Sequence, residues 1–313
     1  MIVAITGGSG FIGKRLVKRC LAGGHEVRVF TRRSSEALDF TSDVKIYRGD
    51  LVHDVDNLPK FLSGVDVLYH CAGEIRDETN MEKLHVTGTK RLISHADGCV
   101  KHWVQLSSVG VYGPRSDGIV TEETPSNPKG TYEITKDASD QLVLAATKLG
   151  FFSSTILRPS IVYGAGMPIT SLFQMISMID RGIFAFIGKR GASANYVHVD
   201  NVVECLVRCG EMKEAINRVY NISDHCTMET FVQYVADGLN KDVPKYRLPK
   251  FPLYCVAKTL GAIPGFPLTA ARVSALSNYS KYAIDKIVKE LNYEHVMSMK
   301  DGVEGLVKAW KRR

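Results

Sequence analysis

Tyr132 and Lys136 stand four residues apart, and Ser108 precedes them at the end of an apolar run. On a helix that spacing puts both side chains on one face. A phenol titrates at about 10, too high for a base at neutral pH, but an adjacent ammonium stabilises the phenolate and makes proton exchange accessible. Lys136 is therefore expected to tune Tyr132. Ser108 lies in Leu106-Ser107-Ser108-Val109-Gly110-Val111-Tyr112-Gly113, where its hydroxyl can bond a reacting oxygen, whereas Ser107 has the opposite strand parity.

A second signal supplies a partner for that proton. Gly7-Gly8-Ser9-Gly10-Phe11-Ile12-Gly13 follows the strand-like Ile2 to Thr6 and opens an amphipathic segment. A helix starting there offers unpaired amides and a positive dipole end to a pyrophosphate. Gly7 permits the tight turn, Gly10 removes the side chain that would face the phosphates, and Gly13 lets the helix pack on the strand. Gly7, Gly10, Phe11, Ile12 and Gly13 are thus the expected dinucleotide contacts. At the end of the second strand, where a carboxylate would bind an NAD ribose, the chain has Thr31-Arg32-Arg33. Guanidinium groups there suit a 2'-phosphate, so Arg32 and Arg33 favour NADP, with NAD as the alternative. Asp50 and the adjoining Leu51 are expected near adenine; for Asp50 a capping role is the competing reading.

These groups need a scaffold. Ile2 to Thr6, Glu26 to Thr31, Lys45 to Tyr47, Val65 to His70, Trp103 to Ser107 and Ser153 to Leu157 read as strands, and segments near 12–22, 54–62, 80–96 and 131–149 as helices. That alternation predicts an α/β Rossmann fold, a doubly wound parallel sheet with a smaller, mainly C-terminal substrate lobe. The expected division is 1–163 with 194–224 for the dinucleotide-binding domain, and 164–193 with 225–313 for the lobe. Arg218 to Ile222 is a further strand candidate, and Asn195 to Cys209 a strand followed by a helix.

A net charge of +7 over 313 residues suits anionic ligands, yet Lys and Arg are dispersed, which disfavours nucleic acid. Seven cysteines without a CxxC pair predict a reducing, cytoplasmic setting. Cys205 and Cys209 are expected to pack rather than bind metal, and no metal site is assigned. The immediate opening strand predicts no signal peptide. The basic, apolar segment 245–268 is expected to be buried between lobes, with weak contact at a membrane surface as the alternative. Phe173, Phe184 and Phe186 are expected in the core; Arg181, Lys189 and Arg190 either meet a substrate diphosphate or form a solvated loop.

The ordered motifs Gly7 to Gly13, Ser107 to Gly113, Tyr132 to Lys136, Arg158-Pro159 and Tyr196 to Val202 resemble the extended short-chain dehydrogenase/reductase family over almost the whole chain. The resemblance implies that Ser108 polarises a carbonyl, Tyr132 moves the proton and Lys136 holds the ribose hydroxyls. It also places Ala72, Gly73 and Pro159 along the cofactor, and His70 as a packed residue. Where the family commonly has Asn, this chain has His85 before Val86-Thr87-Gly88-Thr89, which puts the supporting network at that position in question. The family implies a nucleotide-linked sugar substrate and leaves a homodimer through the 80–96 and 131–149 helices open. Its dehydratases carry Asp-Glu where this chain has Val109-Gly110, which disfavours 4,6-dehydration. The expected activity is oxidoreduction at a sugar carbon, C4 foremost, with net ketoreduction ahead of an NAD-dependent 4-epimerase acting on a nucleotide-linked or polyprenyl-diphosphate-linked sugar. A non-catalytic NADP-binding regulatory module is the remaining alternative.

Overall fold

The computed structural model describes residues 1–34, 40–168, 170–260 and 269–312. Five strands open the central sheet: β1 (Ile2–Thr6), β2 (Glu26–Thr31), β3 (Val44–Arg48), β4 (Val65–His70) and β5 (Val100–Leu106). Ser153–Pro159 and Arg218–Ile222 complete it, giving the order Arg218–Ile222, Ser153–Pro159, β5, β4, β1, β2, β3. All neighbours run parallel. The order reverses at β1, whose Thr6 sits opposite Phe30 of β2 on one side and His70 of β4 on the other. A crevice at such a reversal, beyond the carboxyl ends of the strands, is where open α/β sheets bind ligands.

Alternation along β1 shows why the sheet is covered on both faces. Val3 and Ile5 pack with Leu16, Val17 and Leu206 on one side, while Ala4 packs with Phe61, Leu92, Trp103 and Val143 on the other. The first side is covered by helices Phe11–Ala22 and Val199–Glu211, and Val143 belongs to the long helix Thr131–Lys148 on the second. A separate core gathers Tyr163, Phe173, Ile176, Phe184, Phe186, Tyr196, Phe231 and Leu306, so the three phenylalanines pack as expected. Strands Ile161–Tyr163, Ser193–His198 and Asp224–Thr227 form a small sheet beside it.

Two expected helices differ in detail. The 54–62 segment is helical only over Leu58–Leu62, because the Asp50 and Asp54 backbones bond one another in a turn before it. The 80–96 segment is interrupted by a π-helical stretch, Lys83–Gly88, between Glu78–Glu82 and Thr89–Ala96. Such widened turns recur at functional sites, and this one carries the buried His85. A third difference concerns 245–268. Residues 261–268 lie outside the described residues, but the helix Lys250–Leu260 is not buried between lobes, since Phe251 is 78% exposed. Its Leu253 and Ala257 side packs inward, against Ile187, Val273 and Leu276.

Candidate active site

The glycine turn closes the β1–β4 crevice by backbone proximity. Gly7 has φ +69°, and a Cβ there would lie 2.6 Å from the Ala72 amide nitrogen and 2.7 Å from the Cys71 carbonyl oxygen. A Cβ on Gly13 would run into the Gly7 carbonyl, so the helix approaches the strand only because both residues are glycine. Gly10 caps the helix without a side-chain hydrogen bond, and the first-turn amides at Phe11, Ile12 and Gly13 have no partner within a helix by geometry. A cradle that side chains would fill, at the positive end of a helix, fits the pyrophosphate of a dinucleotide.

Around this cradle, Thr31 Oγ1 accepts from the Arg33 amide at 3.2 Å and lies 3.5 Å from Ser9 Oγ. Arg32 extends into solvent, 75% exposed, with its guanidinium 3.9 Å from Asp50. Asp50 Oδ1 accepts from the Val52 amide at 2.7 Å, so the carboxylate forms a turn while facing Arg32. Leu51 packs in the core beside Phe30 and Leu58. Ala72 and Gly73 follow β4, and a Cβ on Gly73 would sit 3.4 Å from His85 Nε2. Pro159 ends its strand opposite Ile222, two strands away from β4.

Ser108 and Tyr132 meet at the carboxyl end of β5. Ser108 accepts from the Gly110 amide at 3.0 Å, capping the short turn Val109–Tyr112. Glu133 fixes the start of the Tyr132 helix by accepting from the Lys129 and Gly130 amides at 2.9 and 3.2 Å. Burial raises Tyr132 above the ordinary phenol value, a hydrogen bond from Ser108 opposes the rise, and the Asp140 charge adds to it. The group that lowers Tyr132 here is Ser108 rather than Lys136. Lys136 is buried and donates to the Leu106 carbonyl at 2.5 Å, and burial depresses its ammonium while Asp140 supports it.

Asp140 was not a sequence candidate, although it lies one further turn along the Tyr132-Lys136 stripe. Its Oδ2 accepts from Ser107 Oγ at 2.7 Å and from Arg158 Nε and Nη2 at 3.3 and 3.2 Å. Arg158 also donates to the Tyr112 hydroxyl at 3.1 Å, which donates to Asn221 Oδ1 at 2.8 Å. Burial pushes the Asp140 carboxyl up, against the pull of Arg158 and Lys136. Ser107 is therefore engaged in this buried network, which leaves Ser108 as the serine beside the phenol.

His85 answers the question raised by its departure from asparagine. Its Nε2 accepts from the Glu74 amide at 2.9 Å, so Nδ1 carries the proton and donates to Thr135 Oγ1 at 2.9 Å. Thr135 in turn donates to the Thr131 carbonyl at 2.8 Å, and the His85 ring stands edge-on to Tyr132 at 5.7 Å. Burial pulls His85 down to about 3, keeping it neutral. It ties the loop after β4 to the first turn of the Tyr132 helix. His70 is packed as expected, between Thr6 Oγ1 at 2.6 Å and Thr89 Oγ1 at 3.1 Å. Cys205 and Cys209 lie in the core, and no cluster among the described residues has three or more His, Cys, Asp or Glu side chains arranged to hold a metal. Arg181, Lys189 and Arg190 are exposed.

Residues 3–223 match the family model described as the NAD dependent epimerase/dehydratase family. Human sterol-4-alpha-carboxylate 3-dehydrogenase, decarboxylating, is 26% identical over 98% of this chain and 87% of the relative. UDP-glucose 4-epimerase of Vibrio cholerae is 28% identical over 81% of this chain and 79% of its own. Among solved structures, UDP-glucuronic acid 4-epimerase from Bacillus cereus in complex with NAD aligns over 100% of this chain and 99% of that one, with TM-score 0.78 at 20% identity. With the glycine cradle, the Ser108-Tyr132-Lys136 set and the parallel sheet in the order this fold requires, the chain belongs to the NAD-dependent epimerase/dehydratase family of extended short-chain dehydrogenases/reductases.

Proposed function

We propose that the protein reduces a keto group at C4 of a nucleotide-linked sugar, using NADP. The observation that carries this reading is the state of Tyr132: its phenol is raised by burial and bonded to Ser108, so it rests protonated at neutral pH and is ready to donate. A bound nicotinamide cofactor would supply the hydride to the carbonyl carbon. Ser108 orients the carbonyl oxygen, and Tyr132 transfers its proton to that oxygen, so the ketone becomes a secondary alcohol. The Ser108 hydroxyl then stabilises the phenolate, which regains its proton from solvent.

Val109 and Gly110 cannot act as acid or base, which speaks against water elimination. Arg32 and Arg33 beside Ser9 and Thr31 support a 2'-phosphate. The epimerase relative of Vibrio cholerae favours a nucleotide sugar. So do the buried Ser160 Oγ, Ser223 Oγ and Asn221 Nδ2, which have no hydrogen-bond partner among the described residues and lie at the ends of the last two strands, where a substrate's hydroxyls can be met. A second reading, dehydrogenation of an apolar ring alcohol, is favoured by the sterol dehydrogenase relative and by the exposed apolar helix Lys250–Leu260.

Mass spectrometry of the copurified cofactor, followed by incubation with NADPH and 4-keto-sugar nucleotides, tests the proposal. NADPH consumption with a C4 alcohol as product is expected. Tightly held NAD with inversion at C4 and no net reduction would replace it with epimerisation, and turnover confined to sterol alcohols would select the second reading.

A further inference from the structure

The helix Lys250–Leu260 is apolar on both sides yet lies at the surface. Leu253 and Ala257 face the protein, while Phe251, Val256 and Tyr254 are 78%, 44% and 38% exposed. A helix apolar all round is normally enclosed by its surroundings. The strand before it, Arg247–Leu248, continues the patch, with Tyr246 75% and Leu248 42% exposed. Along the sequence this segment carries charge of one sign. Residues 243–284 contain no Asp or Glu but six cations, Lys245, Arg247, Lys250, Lys258, Arg272 and Lys281. Exposed Lys245, Lys250 and Lys258 border the aromatic and aliphatic side chains, whereas Arg247 is held by Glu229 at 2.5 Å. Among the described residues no helix is long and apolar enough to cross a membrane.

We propose that this face, Tyr246 to Lys258, docks on an anionic phospholipid surface, with Phe251 and Val256 entering the interface and the three lysines meeting lipid phosphates. A second copy of the chain would bring six like-charged lysines together, which disfavours self-association as the cover. Lipid instead matches both components, apolar area and positive charge. The inference does not depend on which substrate is reduced.

Flotation of the full chain with phosphatidylcholine vesicles containing phosphatidylglycerol tests it, against phosphatidylcholine alone. The chain is expected to float with the anionic vesicles and to be released by 0.5 M salt, on the order of tenfold. Lys250→Glu/Lys258→Glu and, separately, Phe251→Ser should each lower partitioning at least tenfold, with circular dichroism and gel filtration reporting that the variants remain folded. Absence from the anionic vesicles overturns the proposal. So does flotation that neither variant weakens, or a dimer that Phe251→Ser dissociates while vesicle binding is absent.

Discussion

Acidification should weaken this fold through its buried imidazoles, His70 and His85 foremost, and the share due to His85 can be isolated by substitution. Burial pulls both His70 and His85 from the ordinary 6.5 down to about 3. Well above pH 6.5 neither folded nor unfolded rings are protonated, so the shift has no effect there. As pH falls below 6.5 the unfolded chain binds protons that the folded chain refuses, and stability is lost progressively toward pH 3. Between pH 7 and pH 5 the difference amounts to about 2 kcal/mol per ring. His85→Asn keeps an acceptor for the Glu74 amide and a donor for Thr135 but removes one titrating ring. Asp140, Asp224 and Glu122, raised by burial, gain stability as pH falls, but they are common to both proteins and cancel in the comparison. Urea unfolding at pH 7 and pH 5, followed by fluorescence of Trp103 and Trp310, should show wild type losing about 2 kcal/mol more than His85→Asn. Equal losses would refute the assignment of His85 as a neutral, buried donor-acceptor link.

Two further substitutions probe the scaffold of the site. Gly13→Ala places a Cβ against the Gly7 carbonyl and should weaken dinucleotide binding about tenfold or more, or ~1.4 kcal/mol; an unchanged Kd by fluorescence titration would mean that the turn is not the cradle. Asp140→Ala leaves the Arg158 charge buried without its carboxylate and should cost about 3–5 kcal/mol in thermal or urea unfolding. The double variant Asp140→Leu/Arg158→Met should recover much of that loss, and a double variant no more stable than the single one would count against the buried-pair explanation.

The parts of the fold that follow local rules were legible in the residues. Val3, Ile5 and the Gly7 to Gly13 turn announce a strand feeding a helix, and the structure puts that turn at the sheet's reversal point. Strand parity separates Ser107 from Ser108, and their partners differ: Ser107 donates to Asp140, whereas Ser108 accepts from the Gly110 amide. What was not legible depends on long-range assembly. Asp140 meets Arg158 only because the Thr131–Lys148 helix lies against the strand Ser153–Pro159. At His85, in place of the family's asparagine, residue type alone does not show that an imidazole with a fixed proton can join the Glu74 amide to Thr135. Sequence proximity pairs Tyr132 with Lys136, whereas the Lys136 ammonium donates to the Leu106 carbonyl. Composition points to an interior place for 245–268, and the exposed Phe251 shows that an apolar run can instead line the outside.

The central claim is that Tyr132 carries the proton. Turnover of Tyr132→Phe measured beside its cofactor affinity tests this directly. The phenyl ring should retain the dinucleotide with a Kd within about twofold of wild type while kcat falls at least ~10²-fold. A kcat within a few-fold of wild type would contradict it.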